Sequence, residues 1–230
     1  MKQDPDIDAY KDAWTQSYDE MVNEKGLAAF FMRRGHALLE KDFGPEAFFE
    51  KVLEVGAGSS AHLPAVRHGF SLYCLTDIDT VPLGKAKGRL AADIQEKISV
   101  EKQDAAKLSY PDGNFDRLIA THVLEHLYRP HEVLREWSRV LKPGGVLSIL
   151  LPCDPGLLWR LGRHFGPKAA AQAKGIDYDY WMAREHVNPV GNLVTFIRHY
   201  FGDVTERWYP LPLPFYDINL FYAVNITKKD

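Results

Sequence analysis

Residues Lys51-Val52-Leu53-Glu54-Val55-Gly56-Ala57-Gly58-Ser59-Ser60 constrain this chain more than any other stretch. A short apolar run meets an acidic residue and then a turn with two glycines one residue apart. Glycine there lets the backbone turn sharply and leaves no Cβ between the main chain and a ligand. Ser59 and Ser60 predict a helix over about 60–68 whose free N–H groups would face that ligand. Strand, glycine turn and helix together form a nucleotide-type binding turn.

The rest of the chain is consistent with a sheet built around that turn. Strand-like runs fall at 51–55, 71–76, 97–101, 115–121 and 145–151, and helix-like runs at 60–68, 82–93 and 130–141. This alternation implies right-handed crossovers and a parallel sheet. Lys142-Pro143-Gly144-Gly145 reads as a stop-and-turn between helix and strand. Upstream, residues 8–22 and 25–43 have helical periodicity. Leu27, Phe30, Phe31, Arg34 and Leu38 suggest a face on the second of these, and Trp14, Tyr18, Met21 and Val22 share a face on the first.

The alternation stops after residue 152. Residues 153–189 are rich in aromatics, histidine, glycine and arginine and contain no clean strand. A helix at about 190–201, a strand at 203–209, a proline-rich turn and a last strand at 218–227 follow. The segment 153–189 leaves the sheet at the carboxyl end of the fifth strand, where open α/β sheets bind ligands, so it is expected to form a substrate-recognising lid. The expected organisation is a single domain over 1–230. It comprises an N-terminal helical cap (1–45), a cofactor-binding core (50–152), the lid (153–189) and a C-terminal helix and strand hairpin (190–230).

Composition narrows the partners. Formal net charge is −3 and no basic block occurs, which gives no support for a nucleic-acid partner. No apolar run reaches the roughly 18 residues that a membrane span needs. The polar start argues against a signal peptide, and the separated Cys74 and Cys153 read as reduced thiols, so a cytoplasmic location is expected.

Two carboxylates lie downstream at useful spacings. Asp77 ends the second strand, where it can accept from both hydroxyls of a ribose. Asp104 follows the third strand and can accept from an exocyclic adenine amine, with the adjacent backbone N–H meeting a ring nitrogen. Asp79 is a rival to Asp77. The ordered set now includes Val52–Gly58, Asp77, Asp104-Ala105, Tyr110–Asp116, His122-Val123-Leu124-Glu125-His126 and Arg139–Gly145. Over about residues 50–152 this set resembles the class I S-adenosylmethionine-dependent methyltransferases, in their small-molecule branch. The resemblance implies a Rossmann-like, seven-stranded, mainly parallel sheet with an antiparallel last strand and helices on both faces. It implies S-adenosyl-L-methionine as cofactor, with the methionine part on Glu54 and on the Gly56, Ala57 and Gly58 backbone. It also implies the ribose on Asp77, the adenine near Ile78, Asp104 and Ala105, and Trp14 or Tyr18 near the methionine end. A nicotinamide-binding fold would want a third glycine where Ala61 stands, and it would place Glu54 near a pyrophosphate.

Other residues point to the acceptor. His122 ends the fourth strand, where a neutral imidazole can serve as general base and also border the cofactor. Asp154 and His186, or His164, are further candidates at the same edge. Tyr178, Tyr180 and Trp181 are candidates for an apolar wall, and Arg184 for an anionic or hydroxylated substrate. His122-x-x-Glu125-His126 also spells a metalloprotease zinc motif. It sits at a strand-to-helix junction rather than on a helix, so no metal is expected. The resulting expectation is methyl transfer to a polar small molecule, with O-methylation favoured. N-methylation and a non-catalytic cofactor-binding sensor or partner subunit are the alternatives. RNA methylation finds no basic stripe to support it.

Overall fold

The computed structural model describes residues 26–90, 94–165, 167–173 and 175–229. The helix expected over 8–22, with Trp14 and Tyr18, lies outside them. Seven strands form one sheet in the order β3-β2-β1-β4-β5-β7-β6. They are β1 (Phe48–Val55), β2 (Gly69–Asp77), β3 (Ile98–Lys102), β4 (Phe115–Thr121), β5 (Leu141–Pro152), β6 (Val204–Tyr209) and β7 (Phe221–Thr227). The pairs β1–β2, β1–β4, β2–β3 and β4–β5 are parallel, and β7 runs antiparallel to both neighbours. The Rossmann-like expectation is met, including the antiparallel last strand.

Successive side chains of a strand point to opposite faces, so each strand feeds two cores. On one face Leu53, Val55, Leu118, Ala120, Leu147 and Ile149 pack with Trp137 of α3 (Pro130–Val140) and Leu193 and Ile197 of α7 (Val190–Tyr200). On the other, Val52, Tyr73, Leu75, Ile119 and Leu150 meet Met32 and Leu39 of α1 (Gly26–Leu39) and Ala86 of α2 (Thr80–Arg89). The region after β5 forms α4 (Leu157–Phe165), α5 (Pro167–Ala173) and α6 (Tyr178–Glu185). Among the described residues no helix is long and apolar enough to cross a membrane.

Three local expectations are corrected. No α-helix follows the glycine turn. A single 3-10 turn, Leu63–Ala65, stands there instead, because Ser60 takes a left-handed backbone (φ 62°) and Pro64 interrupts the run. Lys142–Gly145 belongs to β5, as a bulge between the pairs Phe115–Leu141 and Arg117–Val146 rather than a turn between elements. The face that α1 buries is Ala29, Met32, Gly35, His36 and Leu39, while Leu27 and Phe30 are exposed. Gly35 allows that choice: a Cβ there would lie 3.1 Å from Phe221.

A charged network lies buried beneath α1. Arg117, in the middle of β4, donates from both terminal nitrogens to Glu40 (2.9 and 2.6 Å) and from Nε to Ser148 (3.0 Å). Its guanidinium stacks 4.2 Å over the Phe43 ring. His62 donates from Nε2 to Glu40 (2.9 Å), and its Nδ1 lies 3.0 Å from Nδ1 of His36. Burial opposes ionisation of Glu40, but the His62 hydrogen bond and the Arg117 charge outweigh it and hold the carboxyl at about 2. A carboxyl whose folded value lies below its ordinary 4.5 stabilises the fold above that value. We therefore expect about 3 kcal/mol of stability to be lost as pH falls from about 4.5 toward 2. Urea midpoints across that window test this. In Glu40→Gln the acid loss should be smaller by a similar amount.

Candidate active site

The glycine turn is held at the carboxyl ends of β1 and β2. Ala57 N–H donates to the Thr76 carbonyl (2.9 Å), and the Thr76 hydroxyl donates to the Glu54 carbonyl (2.9 Å). Gly58 N–H donates to Asp77 Oδ2 (2.9 Å), while Oδ1 accepts from the Asp79 N–H (2.9 Å). Gly56 and Gly58 both have positive φ (61° and 52°), a conformation that favours glycine. A Cβ at Gly56 would lie 2.4 Å from Val123, so the turn is backed directly onto the loop after β4. A Cβ at Gly58 would meet nothing within 4 Å, so that side of the turn is open.

The turn opens into a cavity of about 700 Å³, within the range usual for small-molecule sites. Phe31, Met32, Trp159, Trp181, Met182 and Phe221 make much of its wall, and His122, Glu125, His126 and His186 cluster on its lining. Of the residues singled out from sequence, Gly56, Ala57, Gly58, His122, His186, Tyr178 and Trp181 border it. Asp154 does not border it but accepts from Nδ1 of His186 (2.8 Å). Arg184, Tyr180 and His164 are not part of the lining. Glu54 lies on the inner side of β1, wholly buried, and its carboxylate accepts from the Tyr73 hydroxyl (2.6 Å). Burial pushes its carboxyl up. Asp77, Ile78, Asp104 and Ala105 stand together outside the cavity, at the adjacent ends of β2 and β3. There the Gln103 N–H donates to the Asp77 carbonyl (3.0 Å). Asp79, the rival for the ribose, instead caps α2 by accepting from the Val81 N–H.

His122 has an unusual backbone for a non-glycine residue, φ 58°. Its ring stands edge-on to Phe221 (5.6 Å) and His36 (6.1 Å). Its Nε2 is buried and has no hydrogen-bond partner among the described residues. His36 also borders the cavity. Burial, with His62 and His122 nearby, pushes its imidazole far down toward the neutral form.

Glu125 and His126, which the sequence offered only as part of an H-x-x-E-H stretch with no metal expected, complete the polar cluster. Glu125 is 2% exposed, yet among the described residues neither carboxylate oxygen has a hydrogen-bond partner, and His122 Nδ1 lies 3.7 Å from Oε1. Burial pushes its carboxyl up, but the surrounding His122, His126 and His186 outweigh that and hold it down. His126 has Nδ1 2.9 Å from the Glu185 carbonyl, an acceptor only, so Nδ1 carries the proton. Burial lowers its tendency to charge. The only signal for these residues in the sequence was the short H-x-x-E-H spelling, and its partner His186 lies far downstream.

Residues 53–149 match the family described as a methyltransferase domain, and those residues hold the glycine turn, Asp77, Asp104 and the His122–His126 loop. The sheet around that matched stretch has the Rossmann-like strand order described above. The methyltransferase core is 32% identical over 108 residues to ajmaline N-methyltransferase of Rauvolfia serpentina, covering 46% of this chain and 37% of that protein. It is 31% identical over 116 residues to 27-O-demethylrifamycin SV methyltransferase of Amycolatopsis mediterranei, covering 47% of this chain and 42% of that one. The chain thus spans about two-fifths of the length of these curated relatives. In fold it is similar to phosphoethanolamine N-methyltransferase 2 of Haemonchus contortus, solved with S-adenosyl-L-methionine. The TM-score is 0.65 at 15% identity, covering 98% of this chain and 59% of that one.

The residues present fit the methyl donor. The side of Gly58 facing the cavity is open, with no side chain between the main chain and a ligand, and the acidic Glu125 among the lining residues suits a ligand bearing an ammonium and a sulfonium.

Proposed function

We propose that this protein transfers the methyl group of S-adenosyl-L-methionine to a hydroxyl of a small molecule with a substantial apolar surface. One observation carries the reading: His122, whose buried Nε2 has no hydrogen-bond partner among the described residues, belongs to the lining of the same cavity as the glycine turn. A neutral imidazole there accepts the hydroxyl proton as the oxygen attacks the methyl carbon. The leaving sulfur departs as a neutral thioether, so neither an oxyanion hole nor a leaving-group acid is required. Alignment of the oxygen with the S–CH3 bond supplies much of the rate gain. The apolar wall of Trp159, Trp181 and Phe221 excludes water and seats the acceptor's body.

In this reading the backbone of Gly56, Ala57 and Gly58 holds the methionine part, and Glu54 supports the turn from behind. Asp77 takes the ribose. The exposed Ile78 side chain covers one face of the adenine, and Asp104 with the Ala105 N–H reads its edge. Asp77→Ala is expected to weaken donor binding about 10- to 100-fold by removing a charged acceptor. Titration calorimetry with S-adenosylhomocysteine checks this, and unchanged affinity rejects the ribose role.

N-methylation is a second reading, favoured by the unpartnered Glu125 carboxylate, which would attract an amine. The two are separated by incubating the protein with labelled donor and paired acceptors that differ only in carrying a hydroxyl or an amine. O-methyl product supports the first reading; exclusive N-methyl product replaces it with the second.

A further inference from the structure

Glu125, His126 and His186 converge at one place in the cavity: one ligand-type atom from each lies within 4.8 Å of the others. His126 Nε2 is 3.9 Å from Glu125 Oε1, and the two imidazole rings stand 4.8 Å apart and nearly perpendicular. The remaining nitrogens are already committed. Nδ1 of His126 donates to the Glu185 carbonyl (2.9 Å), and Nδ1 of His186 donates to the Asp154 carboxylate (2.8 Å). Both acceptors fix the tautomer that leaves a lone pair on Nε2. Such outer partners typify metal-binding histidines, which give their second nitrogen to a carbonyl or carboxylate.

The backbone brings these groups together across a long stretch of sequence. Asn188 donates from its side chain to the carbonyls of Leu124 (3.1 Å) and Leu127 (2.7 Å), and its N–H donates to the Glu125 carbonyl (3.1 Å). The end of α6 is thus strapped to the loop after β4, which seats His186 beside Glu125 and His126. Asp154 is held in turn by the Arg163 guanidinium at 3.6 Å. The Glu125 carboxylate is almost wholly buried, and neither oxygen has a hydrogen-bond partner within normal distance among the described residues; His122 Nδ1 at 3.7 Å and His126 Nε2 at 3.9 Å face Oε1. A buried carboxylate left in that state is costly unless something cationic meets it.

We propose that Glu125, His126 and His186 bind one divalent first-row transition-metal ion through a carboxylate oxygen and two Nε2 atoms. Two imidazoles and one carboxylate suit zinc, iron, cobalt or nickel better than magnesium or calcium. Donors sharing an ion at about 2.1 Å sit roughly 3.4 Å apart, so closing onto the ion shortens separations of up to 4.8 Å by about 1.4 Å at most. Three protein ligands leave open positions facing the cavity. Resting on the O-methylation reading, the acceptor hydroxyl occupies one of them. The ion then draws electron density from the oxygen and makes its proton more acidic. That proton passes to His122 Nε2, the oxygen lone pair forms the O–CH3 bond, and the S–CH3 bonding pair remains on sulfur. The H-x-x-E-H spelling alone does not predict this site, because its first histidine is not one of the ligands.

The full chain, stripped with a chelator and then dialysed free of it, should be titrated with Co²⁺ without donor or acceptor. The expected result is a saturable visible absorption band at one ion per chain that Zn²⁺ abolishes. His186→Ala and Glu125→Gln should weaken Co²⁺ binding at least 100-fold. Asp154→Asn, which leaves all three ligands in place, should weaken it about 10- to 100-fold. Circular dichroism shows whether each variant is folded, and Asp154→Asn is the least invasive of the three. Absence of any band or heat with either ion, or affinity equal in the parent and in folded His186→Ala, overturns the site. Because this binding is read without turnover, its failure leaves the O-methylation reading standing. One bound ion together with exclusive N-methyl product overturns only the hydroxyl-activating role.

Discussion

Replacing Arg117 with methionine is expected to lower the unfolding free energy by about 3–5 kcal/mol, enough to leave a domain of ordinary stability marginal at 37 °C. Arg117 is wholly buried, and both of its terminal nitrogens are spent on Glu40. Methionine fills part of the volume between Phe43 and Phe49 but leaves the Glu40 carboxylate with His62 as its hydrogen-bond partner and His68 Nε2 at 4.0 Å. An uncompensated buried charge costs more than the intact pair gains, so most of the loss comes from Glu40 rather than from missing attraction. The double variant Glu40→Gln/Arg117→Met should therefore recover a large part of the loss. Urea unfolding of the parent, both single variants and the double variant measures this. If the double variant were no more stable than Arg117→Met, packing of the guanidinium on Phe43 would be the dominant contribution instead.

His122→Asn is expected to reduce turnover 10²- to 10⁴-fold while leaving donor affinity within about twofold, the signature of a lost general base. Asparagine is chosen because His122 has φ 58°, a left-handed conformation that asparagine tolerates better than most residues. The backbone N–H that donates to the Leu150 carbonyl is unaffected. Single-turnover rates with saturating donor, followed against pH, separate a base from a spacer. A base leaves a pH dependence in the parent rate that the variant lacks, whereas a spacer leaves the two profiles parallel. Full activity in His122→Asn would remove this residue from the chemistry.

The part of the fold that the sequence made legible was the part governed by local rules. Val52 to Gly58 is apolar, then acidic, then glycine-rich, because a parallel strand ends there and the chain must turn within a few residues. The order of strands and helices from 71 to 151 followed for the same reason, since each element carries its own period. Where a distant contact decided the outcome, local reading failed. A helix over 60–68 is expected only in spite of Pro64, and it is set aside where Ser60 turns left-handed and His62 is drawn inward to the distant Glu40. The buried face of α1 could not be read from Leu27, Phe30 and Leu38, because Gly35 and the polar His36 are the residues pressed inward. Nothing in the sequence named Glu40 as the partner of Arg117. At the candidate site the glycine turn and His122 were visible from their neighbours. The grouping of Glu125 and His126 with His186 was not, because it depends on how Asn188 ties two separated loops together.

The helices α4 to α6 pack chiefly on one another and on the short turn Tyr216–Ile218, around a small core of their own made by Ala171, Ile176, Tyr178 and Met182. The glycine turn and the loop holding His122 are instead wedged together through Gly56 and Val123. One half of the catalytic chamber is therefore rigidly inherited with the sheet, while the other is a semi-independent module. A library confined to positions such as Leu158, Leu161 and Trp181 should diversify which molecules are accepted at little cost to the machinery that delivers the one-carbon unit.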